Sequence, residues 1–212
     1  MLASALTRSV SILLLSSFIC VAGSVRIDPL PVSGNPSDQN YLQYDDGSAQ
    51  WLTWAGVYRG VWFNTEDFVG FAWDPELIFS EYWMYHHSSS PWDISEFYAE
   101  IWNGSSAGPD YFIDQTEVTA LHYSPAFVYY PQGVFAKYSF WAIENTEMSA
   151  GGWPSILGDG SPPAVHHSFY SDDFTLWEPW SDGTSTGDYF IRIECYLTAL
   201  TRTSWGSIKT LF

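Results

Sequence analysis

GDYFIRIECYL, the sequence of residues 187–197, alternates between two kinds of side chain. Successive side chains of an extended strand point to opposite faces, so one face of this stretch is apolar and the other is mixed. The apolar face holds Tyr189, Ile191, Ile193, Cys195 and Leu197, and the mixed face holds Phe190, Arg192, Glu194 and Tyr196. This pattern predicts a half-buried antiparallel strand in the centre of a sheet.

The chain follows the same plan from about residue 44 onward. Short apolar runs are separated by Gly, Pro, Asn and Asp, and both faces of residues 77–86 are apolar, which is typical of a strand deep in the fold. Residues 145–163, rich in Gly and Pro, predict a long loop. No stretch shows the apolar period of an amphipathic helix. We therefore expect an all-β protein: one antiparallel β-sandwich of jelly-roll type, with about ten strands, over residues 44–200.

The two ends of the chain fall outside that domain. Residues 1–23 have an early positive charge, a short apolar run and small residues near the end, which is the pattern of a secretory signal peptide. We expect cleavage near Gly23 and a secreted protein, extracellular or at the cell surface. Residues 24–43 contain several prolines, which predict an irregular lead-in. Residues 201–212 form a C-terminal tail.

Membrane attachment and cysteine chemistry are both constrained by the sequence. No later segment approaches the roughly 20 apolar residues of a transmembrane helix, so no transmembrane span is expected. Cys20 raises the alternative of a lipoprotein anchor, but Ile19 is not the small residue normally found before a lipidated cysteine. After cleavage Cys195 stands alone, and its place on the apolar face of its strand predicts a small buried hydrophobe.

The chain is strongly acidic, with 24 Asp and Glu against 7 Lys and Arg and a formal charge of −17. Loss of Arg8 with the leader leaves 6 cations and a charge of −18. Such a charge argues against nucleic acids and anionic membranes as partners. Aromatic residues make up 19% of the chain, more than a core of this size needs. We therefore expect some rings at the surface, where they stack on a sugar or a partner protein.

Several short motifs resemble a known kind of exported module. They are YDDG at 44–47, the strands that contain Trp83 and Trp102, GP at 108–109, GGWP at 151–154 and GDYFIR at 187–192. Over residues 41–197 the chain resembles the jelly-roll modules of exported bacterial surface proteins, similar in plan to MAM-like and cleaved-adhesin-type sandwiches. Its C-terminal residues 203–212 resemble the short tails that close such chains. The resemblance implies adhesion, cell-surface assembly or glycan binding, generally without catalysis.

Two acidic pairs stand in predicted turns. The resemblance implies a structural Ca²⁺ site at such positions, and Ca²⁺ prefers carboxylate and carbonyl oxygens. The alternative is that Asp favours turns through its own side-chain hydrogen bonds. Ca²⁺ is the one cofactor that the sequence implies, and its candidate ligands are Asp45, Asp46, Asp172 and Asp173.

The histidines are weaker candidates for a metal site. They are the pairs His86-His87 and His166-His167 and the single His122. Because neighbouring residues of a strand face opposite ways, each pair supplies at most one ligand to a shared transition metal.

A glycoside hydrolase is an alternative function. It needs two carboxylates that face each other across a cleft. Predicted strands carry suitable side chains at Glu81, Glu96, Glu100, Glu144 and Glu194. No stretch matches the catalytic motifs of small jelly-roll xylanases, and a fold alone assigns no reaction. We therefore give no residue a catalytic role.

The binding hypothesis rests on four aromatic residues. Trp83, Tyr85 and Trp102 lie on strands that follow one another in the sequence, and Trp92 lies in the loop between them. Rings in a row form a platform on which a sugar stacks, although each ring can instead fill the core. We expect a non-catalytic surface or binding module for a glycan or a cell-surface protein. The alternative is a self-assembling extracellular structural subunit.

Overall fold

The computed structural model describes residues 23–32, 40–88, 91–161, 163–181 and 187–196. Antiparallel strands dominate these residues, and one short helix accompanies them. In chain order the elements are β1 (Ser24–Pro31), β2 (Tyr41–Leu42), β3 (Ser48–Thr53), β4 (Tyr58–Asn64), α1 (Glu66–Val69), β5 (Glu76–Met84), β6 (Glu96–Ser105), β7 (Gly108–Thr119), β8 (Ser124–Phe135), β9 (Ser139–Asn145), β10 (Ile156–Asp159), β11 (Ser168–Ser171), β12 (Glu178–Pro179) and β13 (Ile191–Tyr196). The predicted all-β sandwich is confirmed, with thirteen strands in the described residues.

The strands form two sheets. The seven-stranded sheet has the order β1-β3-β10-β5-β13-β2, and β8 also pairs with β5. The six-stranded sheet has the order β12-β11-β4-β9-β6-β7. The chain crosses repeatedly from one sheet to the other, as in jelly rolls. Many consecutive strands, such as β5 and β6, therefore lie in different sheets.

The main core lies between the two sheets. The six-stranded sheet contributes Val61, Phe63 and Phe140, which are fully buried. Opposite them, the seven-stranded sheet contributes Ile191 and Ile193. These two belong to β13, which pairs with β5 on one side and β2 on the other, so the central strand that the alternation predicts is present.

On the mixed face of β13, Arg192 is buried and enclosed by carboxylates. Its Nη2 and Nε donate to the two oxygens of Asp45 at 2.7 and 2.9 Å. Its Nη1 donates to Oε1 of Glu81 at 3.2 Å. This arrangement ties the Asp45 turn to the middle of the seven-stranded sheet.

A second buried ion pair lies in the six-stranded sheet. Arg59 and Glu144 face each other across β4 and β9, with Nε 2.7 Å from Oε2 and Nη2 2.8 Å from Oε1. Arg59 also donates to the carbonyl oxygens of Gly152 and Pro154, at 2.9 and 2.7 Å. Since these carbonyls belong to the segment before β10, the arginine fixes the path of the chain between the sheets.

Two expectations about irregular segments are wrong. Residues 24–43 include β1, which pairs with β3 at the edge of the seven-stranded sheet. Pro29 and Pro31 are compatible with this strand because an edge strand uses its backbone on one side only, and the register shifts between Arg26 and Leu30. The predicted loop at 145–163 contains β10, which is buried and pairs with β3 and β5.

Two predictions about the chain ends concern residues that lie almost entirely outside the described ranges. Of the predicted signal peptide, residues 1–23, only Gly23 is described, and the tail at 201–212 lies outside the described residues. Both stay predictions. Within the described ranges, no helix has the length and apolar character needed to span a membrane.

Candidate functional site

A serine at the start of β10 organises the aromatic residues that follow β5. The N–H of Tyr85 donates to the carbonyl of Ser155 at 3.2 Å, and the hydroxyl of Ser155 donates to the carbonyl of Tyr85 at 2.9 Å. Trp92 Nε1 donates to the same hydroxyl oxygen, also at 2.9 Å. One side chain therefore positions both the Tyr85 backbone and the Trp92 ring.

The loop between β7 and β8 completes this region. Tyr123 there has a φ of +48°, a conformation that non-glycine residues seldom adopt. Its N–H donates to the Met84 carbonyl at 2.9 Å and its hydroxyl donates to the Pro31 carbonyl at 2.5 Å. Its ring packs edge-on against Trp83 and Tyr85, with centroids 6.2 and 6.1 Å away. These contacts hold the β7–β8 loop against both β5 and β1.

A cleft of about 650 Å³ opens between β1 and the residues after β5. The half-buried Tyr85 ring forms one wall. The full lining is Arg26, Ile27, Asp28, Pro29, Leu30, Tyr85 and His87. Arg26 and Asp28 are exposed, and Arg26 forms no ion pair with any residue that the structure describes. The cleft thus combines an aromatic wall with charged groups of both signs.

A second cleft, of about 430 Å³, lies beside the first. Its lining is His86, Trp92, Asp93, Ile94, Ser95, Glu96 and His122. The His122 ring packs against Tyr85 with a centroid distance of 4.7 Å, and the Trp92 ring lies 5.2 Å from His86. The Tyr85 and His122 rings therefore separate the two clefts, each of which has one aromatic residue that the sequence singled out.

The structure does not bring all four predicted aromatic residues together. Trp83 is only 7% exposed and packs in a second core cluster with Val32 and Phe190. Trp102 lies on the outer face of the six-stranded sheet, where its Nε1 donates to Glu100 at 2.7 Å. The expected single platform fails because β5 and β6 belong to different sheets. Tyr85 and Trp92 line the two clefts described above.

The histidines meet only in part. His86, His87 and His122 gather around Tyr85, and the N–H of His86 donates to His122 Nδ1 at 3.1 Å. His167 lies elsewhere, stacked 3.5 Å from the Tyr44 ring, and burial lowers its pKa. In the part of the chain that the structure describes, no group of three or more His, Cys, Asp or Glu side chains is arranged to hold a metal ion.

The first predicted acidic pair is occupied by protein partners. Both carboxylate oxygens of Asp45 accept hydrogen bonds from Arg192. Asp46 accepts the N–H of Ser48 at 2.8 Å and the hydroxyl of Ser161 at 2.5 Å. These local bonds are the ones that favour Asp in turns.

The second predicted pair lies in an exposed turn after β11. Asp173 Oδ1 accepts the N–H and the hydroxyl of Thr175, at 2.9 and 2.7 Å, and these bonds lower the pKa of Asp173. Asp172 is exposed and lines a depression beside Gly56. The calcium site formed from all four aspartates stays a prediction. Thermal unfolding with and without EDTA tests it, and an unchanged midpoint counts against it.

A third acidic pair was missed by the sequence analysis. The N–H of Asp188 donates to Oδ1 of Asp159 at 2.8 Å, and the N–H of Asp46 donates to its Oδ2 at 3.0 Å. The hydroxyl of Ser168 donates to Asp188 at 2.8 Å. Burial raises the pKa of both Asp159 and Asp188 to about 7. Glycines beside both residues, at 158, 160 and 187, were the available signal of tightly packed backbone.

Arg26 and Asp28 were also missed. They belong to the segment for which the prolines predict an irregular lead-in. The signal that identifies them is the alternation of Val25 and Ile27 with the two charged residues. If this segment is a strand, Arg26 and Asp28 lie on the same face. In the structure both of them line the 650 Å³ cleft.

Comparison with protein-family models, with curated proteins and with solved structures found no match to this chain. The resemblance to MAM-like and cleaved-adhesin-type modules therefore stays a prediction. The geometry of the clefts and of the sheet faces is what any functional proposal for this all-β sandwich rests on.

Proposed function

We propose that this protein is a non-catalytic binding module that holds a glycan in the cleft walled by Tyr85. The observation that carries the proposal is the half-buried Tyr85 ring, which faces a cleft of about 650 Å³ with Arg26, Asp28 and His87 around it. A half-buried ring is fixed by its packing yet keeps apolar area free for a ligand.

The chemistry of the cleft suits a polyhydroxylated ligand. The C–H face of a sugar ring stacks on an aromatic side chain, while its hydroxyls exchange hydrogen bonds with charged and polar groups. Arg26 donates only, Asp28 accepts, and His87 does either according to its tautomer. Trp92 in the neighbouring cleft offers a second ring for a longer saccharide chain. Export and a place at the cell surface belong to the same proposal, supported by the sequence of residues 1–23.

Binding is tested by affinity electrophoresis and pull-down on a panel of neutral and acidic polysaccharides, followed by titration with the best one. Tyr85→Ala should weaken binding about tenfold or more, and Trp92→Ala should weaken binding of longer chains. Tyr138→Ala is the matched control, because its ring is 46% exposed and does not line either cleft. Retention by no member of the panel, or equal binding by wild type and Tyr85→Ala, would overturn the proposal.

A glycoside hydrolase is the second candidate, favoured by one pair of carboxylates. Asn145 Nδ2 lies 2.7 Å from Glu100 Oε1 and 3.5 Å from Glu147 Oε2, so a single amide nitrogen lies between the two acids. The Tyr58 hydroxyl donates to Glu147. Trp102 stands beside them on the same sheet face. A short separation of two carboxylates is what a retaining glycosidase needs.

Two other glutamates that were candidates for that chemistry form ion pairs with buried arginines. Glu81 is bonded to Arg192, and Glu144 is bonded to Arg59 inside the fold. Release of reducing sugar from the same polysaccharides tests the second candidate. Activity that is lost in both Glu100→Gln and Glu147→Gln supports it, and activity that survives either change contradicts it.

A further inference from the structure

The outer face of the seven-stranded sheet carries a separate set of exposed rings. Val128 on β8 and Ile193 on β13 face the core, so the residues that alternate with them face outward. We call the outward-facing rings of this region the ring patch; they are Tyr41, Phe79, Phe127, Tyr129, Phe135 and Tyr196. They come from β2, β5, β8 and β13, and none of them lines the cleft at Tyr85.

The ring patch is continuous. Strand register sets Glu194, Phe79 and Tyr129 side by side in one row across β13, β5 and β8. The Phe127 and Tyr129 rings stack with centroids 5.9 Å apart. Phe79 meets these two rings edge-on, at 5.3 and 5.8 Å, and Tyr41 lies 6.4 Å from Phe79 on the other side. These four rings, Tyr41, Phe79, Phe127 and Tyr129, therefore form one contiguous set, and Tyr196 and Phe135 flank Glu76 in the next outward row of the same face.

The exposed aromatic area matches that of the largest apolar patch on a typical monomer. Tyr129 is 66% exposed, Phe135 64%, Tyr196 54% and Phe127 40%. At roughly 200 Å² for each ring, these four leave about 450 Å² of aromatic surface open to water. That lies within the range of the largest patches on monomers, about 300–600 Å², which are often functional. It is also more than half of the about 800 Å² that each partner buries in a standard interface.

One group of charges on this face is already paired, and two further carboxylates, Glu194 and Glu76, lie in register with Phe79 and Phe135. Glu81 accepts a hydrogen bond from the Tyr41 hydroxyl at 2.6 Å and another from Arg192 at 3.2 Å. Arg192 is bonded to Asp45 as well. An ionised side chain that is buried without a partner is costly in an interface. Because Glu81, Arg192 and Asp45 are bonded to one another, covering them does not incur that cost.

We propose that the ring patch is the interface of a two-fold dimer of this chain. A two-fold axis places the same patch on both sides, and rings on a sheet face can interdigitate or stack with their copies. Interfaces between proteins are enriched in aromatic residues, as this patch is. The proposal is independent of glycan binding, because the cleft and the patch share no residue.

Net charge gives the dimer a distinctive dependence on salt. Two copies with a formal charge of −17 each repel one another, and salt screens that repulsion. Association of two copies through apolar rings therefore strengthens as salt is added. A cationic partner protein on the same face would instead bind less tightly as salt is added.

Sedimentation equilibrium of the full chain, over a range of protein and salt concentrations, tests the proposal. Wild type should reach twice the monomer mass, more readily at higher salt. Phe127→Ser combined with Tyr129→Ser should raise the dimer dissociation constant about tenfold or more. Tyr111→Ser is the matched control, because Tyr111 is 69% exposed but lies on β7 of the other sheet, and it should dimerise like wild type.

Several outcomes would overturn the dimer. One is a wild type that stays monomeric at high protein and salt concentration. Another is a double variant that retains native near-ultraviolet circular dichroism and still dimerises with unchanged affinity. Phe135→Ser is a second, independent probe of the patch. If neither this variant nor the double variant changes the dimer dissociation constant, the ring patch is not the interface. If the wild type is monomeric and the double variant no longer binds polysaccharide, the ring patch is a glycan-binding surface and not a dimer interface.

Discussion

Arg192 and Asp45, 147 positions apart in the chain, form a buried ion pair in which two nitrogens bond to two carboxylate oxygens. Arg192 belongs to β13 and Asp45 to the turn before β3, and neither side chain has any solvent exposure. Because Glu81 on β5 binds the same guanidinium, one cation links two strands and a turn. The pair therefore connects β13 with the turn between β2 and β3.

Removal of this cation should be costly. Arg192→Met leaves Asp45 and Glu81 buried without a positive charge, and breaking a buried pair from one side costs about 3–5 kcal/mol. Urea unfolding followed by tryptophan fluorescence measures the loss. Lys137→Met is the control, since Lys137 and Asp74 form a pair with side chains 65% and 50% exposed. That exposed pair should contribute less than about 1 kcal/mol, and equal losses in the two variants would contradict the central role of Arg192.

Stability should fall as pH rises from 4 to 8. Burial raises the pKa of Asp159 and Asp188 to about 7, well above the ordinary aspartate value that they regain on unfolding. Folding therefore favours their protonated forms, so their contribution is full below pH 4 and is lost as pH rises through about 7. The two acids are in contact and do not titrate independently; a rise of about three in the pKa of one of them corresponds to about 4 kcal/mol, which is the order of the combined effect.

Substitutions separate this effect from the repulsion of the whole acidic chain. Asp159→Asn and Asp188→Asn should each flatten the fall in unfolding free energy between pH 5 and pH 8. Asp173→Asn should leave that slope as in wild type, because hydrogen bonds from Thr175 lower the pKa of Asp173 and keep it ionised across this range. A wild-type stability that rises from pH 5 to pH 8 would show that the buried pair is ionised in the native state.

The thiol of Cys195 should be inert in the folded protein. Its side chain is fully buried on the core face of β13, and burial raises its pKa to about 12. The thiolate is the reactive form, so both access and ionisation oppose reaction. A chromogenic disulfide reagent should label Cys195 in denaturant and leave it unmodified in buffer. Rapid labelling of native protein would indicate that β13 opens or that this strand is not central.

Two glycines with nearly equal φ angles differ in how close neighbouring atoms lie to an added Cβ. Gly152 has a φ of +75° and Gly70 a φ of +76°. A Cβ at Gly152 would lie 2.7 Å from the carbonyl oxygen of Trp54, whereas one at Gly70 would meet nothing within 4 Å. Gly70→Ala should therefore cost about 1 kcal/mol for the left-handed conformation alone. Gly152→Ala should cost about 3 kcal/mol, and similar midpoints for both variants would contradict the packing around Gly152.

Local pattern was sufficient for much of the fold. The two-residue alternation at 187–197 predicted β13 and its buried face, and the structure places Ile191 and Ile193 in the core. Alternation is a property of neighbouring residues, so it survives without knowledge of the partners. The prediction from sequence was wrong for two strands whose composition is typical of loops: β1 contains prolines, and β10 lies in a segment rich in glycine.

The arrangement of the site depended on contacts that local pattern does not contain. The sequence identified Tyr85 and Trp92 as candidate ligand-binding rings, but it could not show that Arg26 and Asp28 face Tyr85 across a cleft. It also grouped Trp102 with them, although the chain changes sheets between β5 and β6.

The sequence by itself determined the all-β class, the acidic surface and the strand alternation, because each follows from composition or from residues close together in the chain. The tertiary structure alone decided which acids are neutralised and which rings are exposed. Both depend on residues far apart in the chain, as Arg192 and Asp45 are, and on which strands lie in the same layer. Burial and pairing are properties of the packed sheets, so they appear only once the strands have found their partners.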